Sequence, residues 1–246
     1  MDARRRIALI SDIHGNAIAL RAVLRSIERE GVDEIVCLGD VATLGVGPSE
    51  VVDTLRELGC RCIVGNHDDY LLDPRLVDSH CEGTISEAIA WGREQLSNDQ
   101  MEFLSRFEAG ITLSLGTRHR LMLYHGSPSS NTVDLLADTP AAEFDQQLGP
   151  DRATVMAGGH THIQMLRQHR GSLVINPGSV GAPFLEFPVG GRPTILGHAE
   201  YATVDVVGES VAVGLHRVAL DRTELASAAR ASSNPMGAEL AAPYLP

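Results

Sequence analysis

Ile7-Ala8-Leu9-Ile10-Ser11-Asp12-Ile13-His14-Gly15-Asn16 decides how the chain is read: an apolar run stops abruptly at a cluster of polar and turn-forming residues. Behind it, Leu20, Val23, Leu24 and Ile27 recur at i, i+3, i+4 and i+7, and Gly31 follows as a C-terminal stop, so the order is strand, polar loop, helix. The pattern then repeats. The apolar residues 35–38 lead into Gly39-Asp40, a Gly/Pro loop and a helix over 49–58, with Val51, Val52, Leu55 and Leu58 apolar and Gly59 at its end. A third short strand, 62–64, runs into Gly65-Asn66-His67-Asp68. Strands alternating with helices imply a parallel sheet, whose ligands gather beyond the carboxyl ends of its strands. Three polar clusters are therefore expected on one rim.

Residues 70–107 carry helical periodicity, with Ser97 or Asn98 capping a second segment, and read as a helical insertion beside the site. From residue 111 strands dominate, at 111–115, 121–124, 155–157, 164–169, 173–175, 201–207 and 211–218, which implies a second sheet. A helix over 140–148 interrupts them, with Thr139 expected as its cap and Pro140 at its first position. A short helix over 221–230 follows. One domain is expected over 1–230, with 231–246 as an extended or mobile tail.

Composition bounds the chemistry. The 246 residues suffice for one large core, and no segment approaches the roughly 18 apolar residues of a membrane span. The apolar run behind the basic Arg4-Arg5-Arg6 is too short for a signal-peptide core, so a cytoplasmic location is the expectation. Cys37, Cys60, Cys62 and Cys81 form no CxxC pair or zinc-finger spacing and read as reduced thiols. A formal net charge of -12 opposes binding to long nucleic acid. All 20 cationic side chains are Arg, so a P-loop lysine and a lysine Schiff base are excluded.

Asp12, His14, Asp40, Asn66, His125, His160 and His162 each lie at or just past the end of a short apolar run. Singly, each also reads as a turn or surface residue. Together they exceed what one metal requires, and oxygen and imidazole donors without thiolate suit Mn, Fe, Co or Zn. Asp12-x-His14, Gly39-Asp40, Gly65-Asn66-His67-Asp68, His125-Gly126 and Gly159-His160-Thr161-His162 resemble, in order, the five motifs of the calcineurin-like metallophosphoesterase superfamily. The likeness runs from residue 7 to about 181 and points to the small prokaryotic phosphodiesterase-like branch.

That resemblance implies an α/β fold in a four-layer αββα sandwich, two mixed sheets flanked by helices with the metal site at the strand ends. It implies two divalent ions (Mn, Fe, Zn, Co or Ni), one on Asp12, His14 and His162, the other on Asn66, His125 and His160, with Asp40 bridging. A metal-bridging hydroxide is then the expected nucleophile. His67 is implied as the leaving-group acid, and Asp68, its neighbour in sequence, is read as the residue that orients it. His80, His119, His169, His198 and His216 lack partner motifs and are expected mostly to face solvent.

The chain also departs from parts of the superfamily. Protein phosphatases extend the second and third motifs with Asp-Arg-Gly and Glu-x-Arg, which grip a monoester dianion. Here those stretches read Val41-Ala42-Thr43-Leu44-Gly45 and Asp68-Asp69-Tyr70, so a small phosphodiester is the expected substrate, ahead of a monoester or a phosphoprotein. The segment 182–200, with Phe184 and Phe187, is longer than the branch usually shows and reads as a loop over the site or a contact in a homo-oligomer. The rival reading is a non-catalytic interaction scaffold of the retromer type, against which His67 and the unsubstituted ligand positions argue.

Overall fold

The computed structural model describes residues 4–77, 81 and 83–245; His80 lies outside them. Strand β1 (Arg5–Ile10) is buried from Ile7 to Ile10 because both of its faces are covered. It is central in a five-stranded sheet, pairing in parallel with β2 (Glu34–Cys37), which pairs in parallel with β3 (Arg61–Cys62). On its other side β9 (His198–Val207) is antiparallel and carries β10 (Ser210–Ala219) at the edge. The second sheet runs β4 (Ile111–Leu115), β5 (His119–Leu123), β6 (Val155–Ala157), β8 (Ser172–Asn176), β7 (Met165–His169), with β5, β6 and β8 parallel and the two edges antiparallel.

Period two sorts the side chains into layers. Ile7, Leu9, Val36 and Leu38 meet Leu121, Leu123, Val155 and Ile175 between the sheets. Ala8, Ile10 and Cys37 turn outward, against α1 (Ala17–Glu30) and α2 (Pro48–Glu57). Helices α3 (Asn66–Leu72), α4 (Thr84–Glu94) and α5 (Asn98–Leu104) occupy the stretch read as a helical insertion. On the far side, Tyr124, Met156 and Val174 pack on Phe144 and Leu148 of α6 (Ala141–Leu148). The result is the αββα sandwich of two mixed sheets. Helix α1 starts where Asn16 Oδ1 accepts the Ala19 N–H at 3.0 Å, and it stops at Gly31, whose φ of 64° is left-handed.

Four readings are corrected. Pro140, not Thr139, holds the cap position of α6; the Thr139 hydroxyl instead accepts from Leu136 N at 3.0 Å, closing the preceding turn. The third strand is shorter than 62–64, with Ile63 making a single bridge to Glu108. The stretch after α7 (Arg222–Ala231) is not extended: it forms α8 (Gly237–Ala241), and Tyr244 buries against Leu225 and Ala226. Within that stretch Asn234 is buried, its Nδ2 donating to Leu44 O at 2.7 Å and Gly45 O at 3.0 Å, which ties the stretch to the loop after Asp40. The non-motif histidines are not solvent-facing among the described residues. His169 is buried and bonds Asp145 at 2.7 Å, His198 bonds Glu200 at 2.9 Å, His119 bonds Thr154, and His216 stacks on Tyr201. His119, His169 and His216 sit beside partners from other segments, which local sequence does not reveal, whereas His198 pairs two residues along its own strand. The four cysteines are free thiols, and no helix among the described residues is long and apolar enough to cross a membrane.

Candidate metal centre

Five loops converge on one rim because β1, β2 and β3 run parallel, as do β5 and β6, so their carboxyl ends lie together. The loops leave the strands sharply. Asp12, His14, Asp40, His160 and His162 all have left-handed backbones, with φ of 53°, 46°, 58°, 69° and 58°. Asp and His tolerate that region better than most residues, at a cost of about 1–3 kcal/mol each. Cross-loop hydrogen bonds hold them there, among them Asp12 N to Gly39 O at 3.0 Å and His14 N to Asp40 O at 2.9 Å. Gly65 is required by close approach, since a Cβ there would fall 2.0 Å from Asp40 Oδ1.

Two triads result: Asp12, His14 and His162, and Asp40, His125 and His160, each with its donor atoms within 4.8 Å of one another. The hydrogen bonds identify which nitrogens are free. His162 Nδ1 donates to Ala182 O at 2.7 Å and His125 Nδ1 to Leu38 O at 2.6 Å; a carbonyl only accepts, so Nε2 of each neutral ring carries a lone pair. His162 Nε2 lies 3.4 Å from Asp12 Oδ1 and 3.0 Å from His14 Nε2. His125 Nε2 lies 3.4 Å from Asp40 Oδ2 and 3.2 Å from Asn66 Oδ1, and His14 Nε2 lies 3.7 Å from Asp40 Oδ2. Lone pairs thus face lone pairs inside a buried space, an arrangement that requires protons or cations between them. The donor set of oxygens and imidazoles fits a dinuclear divalent-metal site.

The electrostatics agree. Burial opposes ionisation of Asp40, yet His125 and His67 hold its carboxyl well below the usual range. Burial opposes a charge on His125 too, but Asp40 and Asp12 pull it up to about 10. His14 goes the other way, to about 3, through burial and the neighbouring His162 and His67.

The sequence pattern described as the calcineurin-like phosphoesterase superfamily domain matches residues 6–213. The chain belongs to this superfamily. It is 32% identical to uncharacterized protein MJ0912 of Methanocaldococcus jannaschii, over 72% of this chain and 76% of that one. It is 24% identical to phosphodiesterase YfcE of Escherichia coli, over 82% and 91% respectively. A metallophosphoesterase structure from Sphaerobacter thermophilus shares the fold, with TM-score 0.73, 23% identity and coverage of 97% of this chain and 98% of that one. Superfamily membership and the two triads together support a metal-dependent phosphoesterase activity.

The remaining sequence-chosen residues fall within this superfamily site in different ways. Asn66 stands beside the second triad with its carboxamide oxygen toward His125. His67, half-buried, packs edge-on against His14 with ring centroids 4.9 Å apart. Burial lowers its pKa from the ordinary value, and Asp40 opposes that shift. Asp68 departs from the expected orienting role. Its carboxylate accepts from Asp40 N at 2.8 Å, Val41 N at 3.0 Å and Gly65 N at 2.9 Å, so it locks two loops together. Burial and Asp40 push its pKa up.

Three further residues join the site. The buried Thr43 hydroxyl lies 3.0 Å from His14 Nδ1 and 3.1 Å from His67 Nδ1. Its signal was available, as the one hydroxyl in an otherwise apolar and Gly-rich loop over 41–47. Asp134 Oδ1 sits 3.3 Å from His160 Nε2, in a Ser/Asn-rich loop that gives no such cue. Phe184 stacks on His162, centroids 4.3 Å apart and planes at 25°. It stands at the root of a narrow flap in the 182–200 segment, where Leu185 N bonds Thr194 O and Leu196 N bonds Pro183 O. Further along the flap, Arg192 pairs with Glu239 of α8.

Proposed function

We propose that the chain is a two-metal phosphodiesterase. Asp12, His14 and His162 hold one divalent ion, Asn66, His125 and His160 the other, and Asp40 is shared, while His67 protonates the departing oxygen. The convergence of imidazole lone pairs and carboxylates in two triads carries this reading. When bound, two such ions supply Lewis acidity toward a phosphoryl oxygen and lower the pKa of water. The chain's own contribution is positional. Backbone carbonyls at Leu38 and Ala182 aim His125 and His162, and Asp68 fixes the loop that presents Asp40. A water oxygen attacks phosphorus as one of its protons passes to solvent, the P–O bond to the alcohol breaks, and His67 gives its Nε2 proton to the alkoxide and regains one from solvent, leaving a hydrogen phosphomonoester and an alcohol.

Preference for a diester is supported by charge. Among the described residues, every hydrogen bond and ion pair made by the side chains of Asp12, His14, Asp40, His125, His160 and His162 comes from backbone, hydroxyl, carboxamide, carboxylate or imidazole groups. No guanidinium joins them to grip a second phosphate charge. The name of the Escherichia coli relative points the same way. Rates on bis(p-nitrophenyl) phosphate and p-nitrophenyl phosphate, with Mn, Ni, Zn or Mg supplied in turn, test the reading. Faster turnover of the diester is expected. A strong monoester preference would reverse the substrate class, and an inert metal-loaded protein would favour a binding scaffold.

A further inference from the structure

We infer that Thr43 is a positioning residue for the leaving-group step, tying the ring of His67 to a metal-binding imidazole through one hydroxyl. The inference rests on the assignment of His67 as the acid in the proposed phosphodiesterase reaction. Thr43 Oγ1 lies 3.0 Å from His14 Nδ1 and 3.1 Å from His67 Nδ1. Thr43 is 0% exposed, so water does not substitute for either contact. A hydroxyl has two lone pairs and therefore accepts from two N–H groups at once. His14, whose Nε2 faces His162 and Asp40, carries its proton on Nδ1 and donates it to Thr43. His67 turns its own Nδ1 to the same hydroxyl. That leaves Nε2 of each ring as the reacting nitrogen, facing a metal on His14 and the departing oxygen on His67.

Two further contacts restrict the geometry. His67 N donates to Asp40 Oδ1 at 2.9 Å, fixing the backbone of the acid to the shared carboxylate. The rings of His14 and His67 meet edge to face at 89°, so with Nδ1 held, rotation of His67 is blocked by His14. Asp68, the neighbour expected to perform this task, has its carboxylate taken up by three backbone amides. The role passes to Thr43 because α3 turns successive side chains about 100° apart, pointing His67 toward the loop after Asp40.

The test uses the metal-loaded protein and methyl aryl phosphates from p-nitrophenyl to unsubstituted phenyl. A nitrophenolate leaves without help, whereas a phenolate needs the proton. At saturating metal, Thr43→Val is expected to slow both esters through its contact with His14, and to slow the phenyl ester roughly 10-fold more than the nitrophenyl ester, against a difference of roughly 100-fold or more between the two esters for His67→Ala. Thr43→Ser, which keeps the hydroxyl, is expected to restore the rate. Ring 15N spectra of the zinc-loaded protein supply a readout independent of turnover: Nδ1 of His14 and of His67 should both lose their hydrogen-bonded shifts in Thr43→Val. A Thr43→Val enzyme that slows both esters equally, or neither, overturns the inference while His67→Ala still slows the phenyl ester. If His67→Ala is itself as fast as the parent, the acid assignment falls and this inference with it. If the parent is inert, unchanged His67 and His14 spectra in Thr43→Val overturn the hydroxyl bridge on their own.

Discussion

Around Asp12, His14 and His162 the imidazoles are turned by neutral oxygens, the Thr43 hydroxyl and the Ala182 carbonyl, and all three residues are buried. Around Asp40, His125 and His160 one imidazole is turned by a carbonyl, Leu38, but the other meets the Asp134 carboxylate, whose side chain is 47% exposed. A neutral acceptor fixes a tautomer without adding charge. A carboxylate behind an imidazole also adds negative charge near the cation. The difference teaches that the two half-sites hold a cation by unequal means: the first by burial under the Phe184 flap, the second by charge at a solvent-facing edge.

The largest effect is expected where the halves join. Asp40→Ala should lose both ions, a deficit beyond the roughly 100-fold that loss of an outer partner can cost, with hydrolysis at background. Metal content after gel filtration checks this. Retention of one full equivalent would show that the halves bind independently.

Asp134→Asn sharpens the comparison. It should weaken the second ion roughly 10–100-fold and leave the first unchanged, read by calorimetric titration. Equal weakening of both would place Asp134 outside the second half-site.

Metal-stripped protein should respond to pH with opposite sign at His14 and at His125. His14, pushed down to about 3, refuses a proton that the unfolded chain accepts, so its contribution to stability is lost as pH falls from 6.5 toward about 3. His125, pulled up to about 10, contributes stability that is full below 6.5 and lost as pH rises toward about 10. The Tm of chelator-treated protein should therefore peak between these limbs. His125→Asn should shrink the alkaline limb to the part carried by His162, which Asp12 also holds above its ordinary value, and an unchanged limb would break the contrast.

The smallest effect belongs to the flap. Phe184→Ala removes a ring stack of about 1 kcal/mol and should weaken the first ion a few-fold, leaving the second alone. Differential scanning with each ion loaded would register it.

Much of this arrangement was legible in the chain. The apolar runs that stop at Asp12, Asp40, Asn66, His125 and His160 are local patterns, and strand periodicity alone places their ends on a shared rim. The tail and most of the non-motif histidines were misread because their partners are distant. Asn234 finds the carbonyls of Leu44 and Gly45, and His169 finds Asp145, through contacts that no window of sequence contains. Asp68 was misread for the opposite reason. Adjacency to His67 suggested contact, but helical geometry turns neighbours apart.

The sequence by itself determined the kind and order of the donors, because hydrophobic period and the abrupt polar stop after each strand are properties of a few consecutive residues. Only the tertiary structure decided which donors face one another, which oxygen turns each imidazole, and that Thr43 and Asp134 stand behind His14 and His160. Those choices depend on the relative placement of separate loops to within a hydrogen bond's length, and sheet packing rather than local propensity sets that distance.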